Sequence, residues 1–308
     1  MLLINIKEWP VERVLDMLLT DKTTKKNIIY ATSGYVENGR EIDPKTQIFK
    51  ESLLGFDPRV IQPRVMKSME QQSDRTKSHA EVFTPAWLCN KMNNHIDSEW
   101  FGRENVFNTE GDKTWTTNYQ KIEFPENQSW MDYVNNKCLE ITCGEAPYLV
   151  SRYDAATGES IPVRDRIGLL DRKLRVVAEN ADDLNSWLTW ATKAYQATYG
   201  YEYQGDNLLI ARINLLMTFV EYMNDKWDKV PTDVELKKIA NIIAWNIWQM
   251  DGLTGTVPLG KPKAMIEQSS LDLFGDPEEE AENEFEPCRI FDWKANKSIT
   301  YNSIKGER

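Results

Sequence analysis

Residues 138–154 read C-L-E-I-T-C-G-E-A-P-Y-L-V-S-R-Y-D, and the fold of the chain turns on how this stretch is understood. Leu139, Ile141 and Thr142 are apolar or β-branched and suit a short buried strand, which breaks at Gly144 into a polar turn ending at Pro147. Tyr148, Leu149 and Val150 then open an apolar segment, with Pro147 suited to the first position of a helix. Strand, glycine turn and helix is the geometry of a nucleotide site, because glycine admits close backbone approach and the free N–H groups of a helix start attract a polar or anionic ligand group such as a carboxylate. An ordinary strand-to-turn transition has the same letters, so the motif needs support from elsewhere in the chain.

Bulk properties set the frame. The chain has 308 residues, 41% hydrophobic and 11% aromatic, enough for a sizeable core. No apolar run approaches a membrane span. The start, M-L-L-I-N-I-K-E-W-P, lacks the pattern of a secretory signal, so the expected location is cytoplasmic. Cys89, Cys138, Cys143 and Cys288 form no C-x-x-C pair and lie far from His79 and His95, so neither a zinc site nor a disulfide framework is signalled. The net charge of −11 argues against coating nucleic acid by bulk electrostatics. Much of the negative excess falls in residues 276–286, D-P-E-E-E-A-E-N-E-F-E, which read as a solvated loop or tail. Arg59, Arg64, Lys67, Arg75 and Lys77 make the segment before residue 80 locally basic, suited either to DNA or to a plain wet face.

Residues 1–77 form an extension of mixed helix and strand. Val11, Val14, Leu15, Leu18 and Leu19 fall at helical spacing behind Pro10, residues 27–32 are strand-like, and Gly34 and Gly39 bracket a loop; the expected role is packing or dimer formation. Residues 78–308 form the main domain. It opens with S-H-A-E-V-F-T-P-A-W-L-C-N-K-M, where Thr84 can cap a helix beginning at Pro85.

The phrase E-V-F-T-P, Phe83-Thr84-Pro85 in particular, resembles the segment that opens the catalytic domain of DNA adenine-N6 methyltransferases, especially modification subunits of restriction-modification systems. In that family the loop packs over the methionine part of S-adenosylmethionine. L-E-I-T-C-G-E-A-P-Y-L resembles the family's cofactor motif, D/E-P-x-C/S-G-x-G-x-F/L: Glu140, Cys143 and Gly144 match it, Ile141 replaces the Pro, and Ala146 replaces the second Gly. Residues 166–177, R-I-G-L-L-D-R-K-L-R-V-V, are similar to the family's second strand, whose terminal acid grips the ribose hydroxyls. Asp171 is the candidate, with residues 153–165 as an inserted loop, and an exposed Asp after a strand as the alternative. Residues 204–216 are similar to the helix that follows, capped by Asp206 or Asn207. Residues 236–253 resemble the phrase that leads to an acid on the cofactor's adenine amino group. That would be Asp251, although a helix ending at Gly252 explains the same letters.

The family's N/D-P-P-Y/F/W tetrapeptide, which holds the target amine and stacks on the flipped adenine, is absent from the sequence. Phe291-Asp292-Trp293 occupies the approximate place, so Asp292 and Trp293 are the catalytic candidates. The resemblance implies an α/β, Rossmann-like methyltransferase fold with a helical N-terminal extension, S-adenosylmethionine as cofactor, and DNA with a specificity or restriction subunit as partners. The alternatives are a catalytically silent paralogue and a phage or mobile-element interaction protein that keeps only the architecture.

Overall fold

The computed structural model describes residues 3–37, 40–55, 61–67, 84–260 and 286–304. Phe83, Arg59, Arg75, Lys77 and most of the acidic run lie outside them. In chain order the elements are α1 (Val11–Leu19), the β1–β2 hairpin (Val36–Glu37 and Arg40–Glu41), α2 (Lys50–Leu54), α3 (Ala86–Phe101), the β3–β4 hairpin (Asn108–Gly111 and Thr114–Thr117) and α4 (Trp130–Asn135). Then come β5 (Cys138–Glu140), α5 (Leu169–Asn180), α6 (Leu184–Gln196), β6 (Thr198–Glu202), α7 (Gly205–Trp227), α8 (Asp233–Asn246), β7 (Ile247–Gln249) and the β8–β9 hairpin (Arg289–Asp292 and Lys297–Thr300).

The centre is a parallel three-stranded sheet in the order β5-β6-β7, with Glu140 opposite Gly200 and Glu202 opposite Gln249. Parallel neighbours need long crossovers. Here α5 and α6 make the first, and α7 and α8 the second. The chain therefore has an α/β fold built on a three-stranded parallel sheet among the described residues. β6 is buried at every position, because its two faces meet two different layers. On one face the helices close a large core that includes Leu174, Trp187, Leu208, Phe219 and Ile243. On the other, Tyr199, Tyr201, Trp248 and Met250 pack against Cys288, Ile290 and Tyr301 of the C-terminal hairpin and the turn after it. That second layer stops short of β5, where Leu139 and Ile141 remain 42% and 62% exposed.

The N-terminal extension joins the main core. α1 forms as its apolar spacing predicts, and its buried Val11, Val14, Leu15, Leu18 and Leu19 belong to the same cluster as α7 and α8. Arg212 of α7, fully buried, donates to the carbonyls of Leu18 and Ile247 and so ties α1, α7 and β7 together. Residues 27–32 make isolated bridges rather than a ladder, Ile29 pairing with Gln47 and exchanging two hydrogen bonds with the Gln249 side chain.

Four local expectations are corrected. Thr84 does not cap α3: the cap position is Pro85, without a side-chain bond, and the first free amide, Ala86 N, donates to Asp154 Oδ2 at 2.8 Å. No helix follows Pro147: Leu149 N and Val150 N close a single turn on the Ala146 carbonyl, but the Tyr148 and Leu149 carbonyls accept Leu169 N and Leu170 N instead, and the helix is postponed to Leu169. Residues 169–180 are helix, not strand: Leu169, Leu170, Leu174 and Val177 recur at helical spacing and all face the core. The long helix after β6 starts at Gly205 with Gln204 in the cap position, so Asp206 and Asn207 belong to its first turn. By contrast, α8 ends at Asn246 and yields to β7, so Gly252 terminates no helix.

A buried polar knot fixes α3 against α5. Arg172 bonds Asp97 at 2.5 Å and reaches Asn90 and Asn94, while Tyr133 donates to Asp97 at 2.9 Å. Burial raises the Asp97 carboxyl above its ordinary range, and the Arg172 charge opposes that rise.

Candidate functional site

In an open α/β sheet, ligands bind beyond the carboxyl ends of the strands. At that end of this sheet stand Glu140, Glu202 and Gln249, each at or next to a strand terminus, together with the loops that leave them. The loop after β5 is the most constrained. Thr142, Gly144 and Ala146 take positive φ values of 47°, 54° and 65°, so alternate residues occupy the left-handed region. For L-residues that conformation costs about 1–2 kcal/mol, and strain of this kind persists only where surrounding structure enforces it. Two features enforce it here. Cys143 N donates to the Tyr201 carbonyl at 2.8 Å, and Ala146 N donates to the Cys143 carbonyl at 2.7 Å. Ala146 stands where the family pattern has its second glycine, and its backbone takes the conformation glycine favours.

Glu202 closes the loop. Its carboxylate accepts Gly144 N at 2.8 Å and Gln204 N at 3.0 Å, so one buried acid holds both the glycine turn and the start of α7. Desolvation raises its pKa, and the backbone donors from Gln204, Gly144 and Tyr203 pull against that rise. Glu140 is pushed well above the usual carboxylate range by burial, with partial relief from the Tyr148 and Leu149 amides. Its Oε2 is buried without a hydrogen-bond partner. Burial likewise pushes the Cys143 thiol well up, which makes it packing rather than a nucleophile. Its sulfur lies against Gly200, where a Cβ would meet it at 3.4 Å.

A strap from before α3 lies over this end. Arg64 N donates to Glu145 Oε1 at 2.6 Å, Tyr153 OH donates to Glu145 Oε2 at 2.6 Å, and Lys67 pairs with the fully buried Asp206 at 3.1 Å. Lys67 is thus a buried cation at this end of the sheet, not part of a wet basic face.

The structure brings together Glu140, Cys143, Gly144 and, through Tyr148, Thr84 and Pro85. The Thr84 carbonyl lies against Cys89 Sγ, and the Thr84 side chain lies close to the Tyr148 hydroxyl. Asp251 comes to the same end, two residues beyond β7. Its Oδ1 accepts Leu253 N at 2.8 Å in a turn, and its charge raises the pKa of nearby Tyr203, second to burial.

Two placements differ from expectation. Asp171 is not at a strand end: it lies in the first turn of α5, fully buried, its Oδ2 accepting Ser151 N, Ser151 Oγ and Gly168 N. Burial raises its pKa to about 6, although Arg166 and the Ser151 donors favour the charged form. The acid that ends the second parallel strand is Glu202. Asp292 and Trp293 are at the opposite end of the sheet. Trp293 Nε1 donates to Asn246 Oδ1 at 2.8 Å, and Asn246 in turn donates to the carbonyl of Thr198, where β6 begins. The length of β6 alone separates them from Glu202 by about 13 Å. Asp292 Oδ1 accepts Lys294 N and Ala295 N and shapes the hairpin turn, and those donors lower its pKa.

Glu202 was missed in the sequence although T-Y-G-Y-E, residues 198–202, offers a signal: aromatic and β-branched residues ending in an acid before Q-G-D and a long apolar helix. Among the described residues no group of three or more His, Cys, Asp or Glu could hold a metal ion, and no helix is long and apolar enough to cross a membrane. Compared with protein-family models, curated proteins and solved structures, the chain matches none.

Proposed function

We propose that the crevice beyond β5, β6 and β7 binds S-adenosylmethionine, and that the chain is a modification-subunit type DNA adenine-N6 methyltransferase or a close derivative. The observation that carries this reading is Glu202: an acid at the end of the second parallel strand, hydrogen-bonded to the glycine turn that follows the first. A carboxylate has acceptor capacity beyond the backbone amides that hold Glu202, and ribose hydroxyls would use it. Asp251, beyond the third strand, is the acceptor for the adenine amino group. The Gly144 turn lets the methionine part approach the backbone, under Thr84 and Pro85 and, in the family, the residue equivalent to Phe83. The residues present fit the cofactor, because the orphaned Glu140 Oε2 and the strained 142–146 backbone are features that a bound polar group would use.

The cofactor supplies a methyl group on a sulfonium centre. The chain's task is to hold the acceptor amine in line with it and to keep water out, which needs no covalent enzyme intermediate. DNA is the acceptor on this reading, with a specificity or restriction subunit as partner.

A second reading is favoured by one observation. Asp292 and Trp293 belong to the far end of the sheet, so the described residues offer no replacement for the missing N/D-P-P-Y. A silent paralogue that binds the cofactor without transferring methyl accounts for that. Transfer of label from S-adenosylmethionine to mixed-sequence DNA, with and without partner subunits, separates the two: incorporation supports the enzyme, and cofactor binding without incorporation supports the silent form.

A further inference from the structure

A surface helix ordinarily turns its apolar stripe to the core and its polar side to water. α3 departs from this rule. Its inner side carries Asn90, Asn93 and Asp97, all buried, beside Cys89 and Phe101. Arg172 accounts for Asn90 and Asp97, and Asn93 Nδ2 donates to the Tyr148 and Ile167 carbonyls at 2.9 and 3.0 Å. Its outer side carries Leu88, Met92 and Ile96 at four-residue spacing, with Met92 52% and Ile96 45% exposed. This apolar ridge borders a trough of about 800 Å³ whose far wall holds Glu104, Asn105 and Thr109. Nothing in the packing of the single chain uses either feature. A contiguous exposed apolar stripe of this kind marks an interaction surface.

Charge decides the occupant. Lys91 stands toward the N-terminal end of the ridge, and Glu99 and Glu104 toward the C-terminal end, while Glu110 near the middle is held by Asn94 Nδ2 at 3.1 Å. Lys91 and Glu99 lie four residues to either side of His95. A second α3, antiparallel about an axis near His95, therefore sets Lys91 of each copy against Glu99 of the other, and brings Met92 within about half a helical turn of the other copy's Ile96. A two-fold interface uses the same patch twice, so a ridge beside a trough is self-complementary. We propose that this face of α3 is the interface of a homodimer, with the ridge of each copy bedded in the trough of the other and Lys91 paired with Glu99 across the axis. A foreign partner would have to carry the same sign pattern in reverse, which a second copy supplies by symmetry. Tyr148 OH donates to Met92 Sδ at 3.6 Å, so the face adjoins the loop after β5. The inference depends on neither the cofactor nor DNA.

The test is sedimentation equilibrium of the full chain without cofactor, at about 0.15 M salt, where a screening length of roughly 8 Å suppresses the repulsion between two acidic chains. The wild type should sediment as a dimer that dissociates on dilution. Ile96→Glu buries two charges per dimer and should weaken association at least about 100-fold. Lys91→Glu and Glu99→Lys each set like charges against one another twice and should each weaken it about ten-fold, and the double exchange Lys91→Glu with Glu99→Lys should restore most of the loss. All three side chains are exposed in the single chain, so circular dichroism and the melting of the monomer should match wild type. The proposal is overturned by a wild type that is monomeric at every soluble concentration, by a dimer that Ile96→Glu leaves intact, or by a double exchange that restores nothing. A monomer that instead binds an unrelated chain on this face also overturns it. A dimer with these responses that gives no heat with S-adenosylmethionine leaves this inference standing and sinks the cofactor reading alone.

Discussion

Replacing Asp171 with Asn separates a structural acid from a ligand-binding one. Three donors converge on Asp171 Oδ2 inside the protein, and an Asn carbonyl keeps an acceptor in that place. The substitution removes the cost of burying a charge. With a folded pKa of about 6 against an ordinary value of 3.8, the carboxyl binds its proton more tightly in the folded chain than in the unfolded one. Its favourable contribution is therefore complete below about pH 4 and is lost as pH rises through 6, a swing of about 3 kcal/mol. Asn does not titrate, so the variant's stability relative to wild type should improve by about that amount between roughly pH 3.5 and 7.5, whatever constant offset its amide introduces. Urea unfolding of both proteins across that range measures the difference, since the other titrating groups cancel. A stability difference that does not change with pH would refute the placement of this carboxyl. A large loss of cofactor affinity in Asp171→Asn would restore it as the ribose acid.

Glu202→Ala should abolish cofactor binding and also lower stability by about 2–6 kcal/mol, because the Gly144 and Gln204 amides lose their acceptor; calorimetry and thermal unfolding check the two effects separately. Arg172→Ala should cost about 3–5 kcal/mol in chemical denaturation, since Asp97 would remain buried without its cation. Gly205→Ala should fail to give a folded protein under standard expression, because the added Cβ would overlap the Ile29 carbonyl, a backbone atom that cannot step aside. Asp292→Ala, which alters only an exposed hairpin turn at the far end of the sheet, should leave cofactor affinity unchanged in the same titrations.

Much of the architecture was legible because the local signals agree with the final packing. Residues 138–144 read as a buried strand breaking at Gly144; the strand forms, but it ends at Glu140 and is not buried, with Leu139 and Ile141 exposed and Thr142 already in the turn. α1 declares itself through its apolar spacing, and the Thr232–Glu235 capping box that opens α8 is a signal the reading passed over. The errors have specific physical sources. Residues 166–177 carry Leu, Ile and Val that suit a strand, but the period of their burial is helical, and the first α5 amides dock on the Tyr148 and Leu149 carbonyls. β6 escaped notice because both of its faces are covered, which erases the alternation that marks a half-buried strand. Asp292 and Trp293 follow a real strand, β8, but order along the chain does not say at which end of the sheet a hairpin will lie. Packing of Trp293 on Asn246 decides that. Thr84 looked like a cap because Asp154, the residue that satisfies the Ala86 amide, is far away in sequence.

Calorimetric titration of the purified chain with S-adenosylmethionine tests the central claim most directly. A saturable heat with one site per chain, lost in Glu202→Ala and in Gly144→Trp but kept in Asp292→Ala, is the predicted result. No heat and no thermal shift at millimolar cofactor, or full binding by Glu202→Ala, would contradict it.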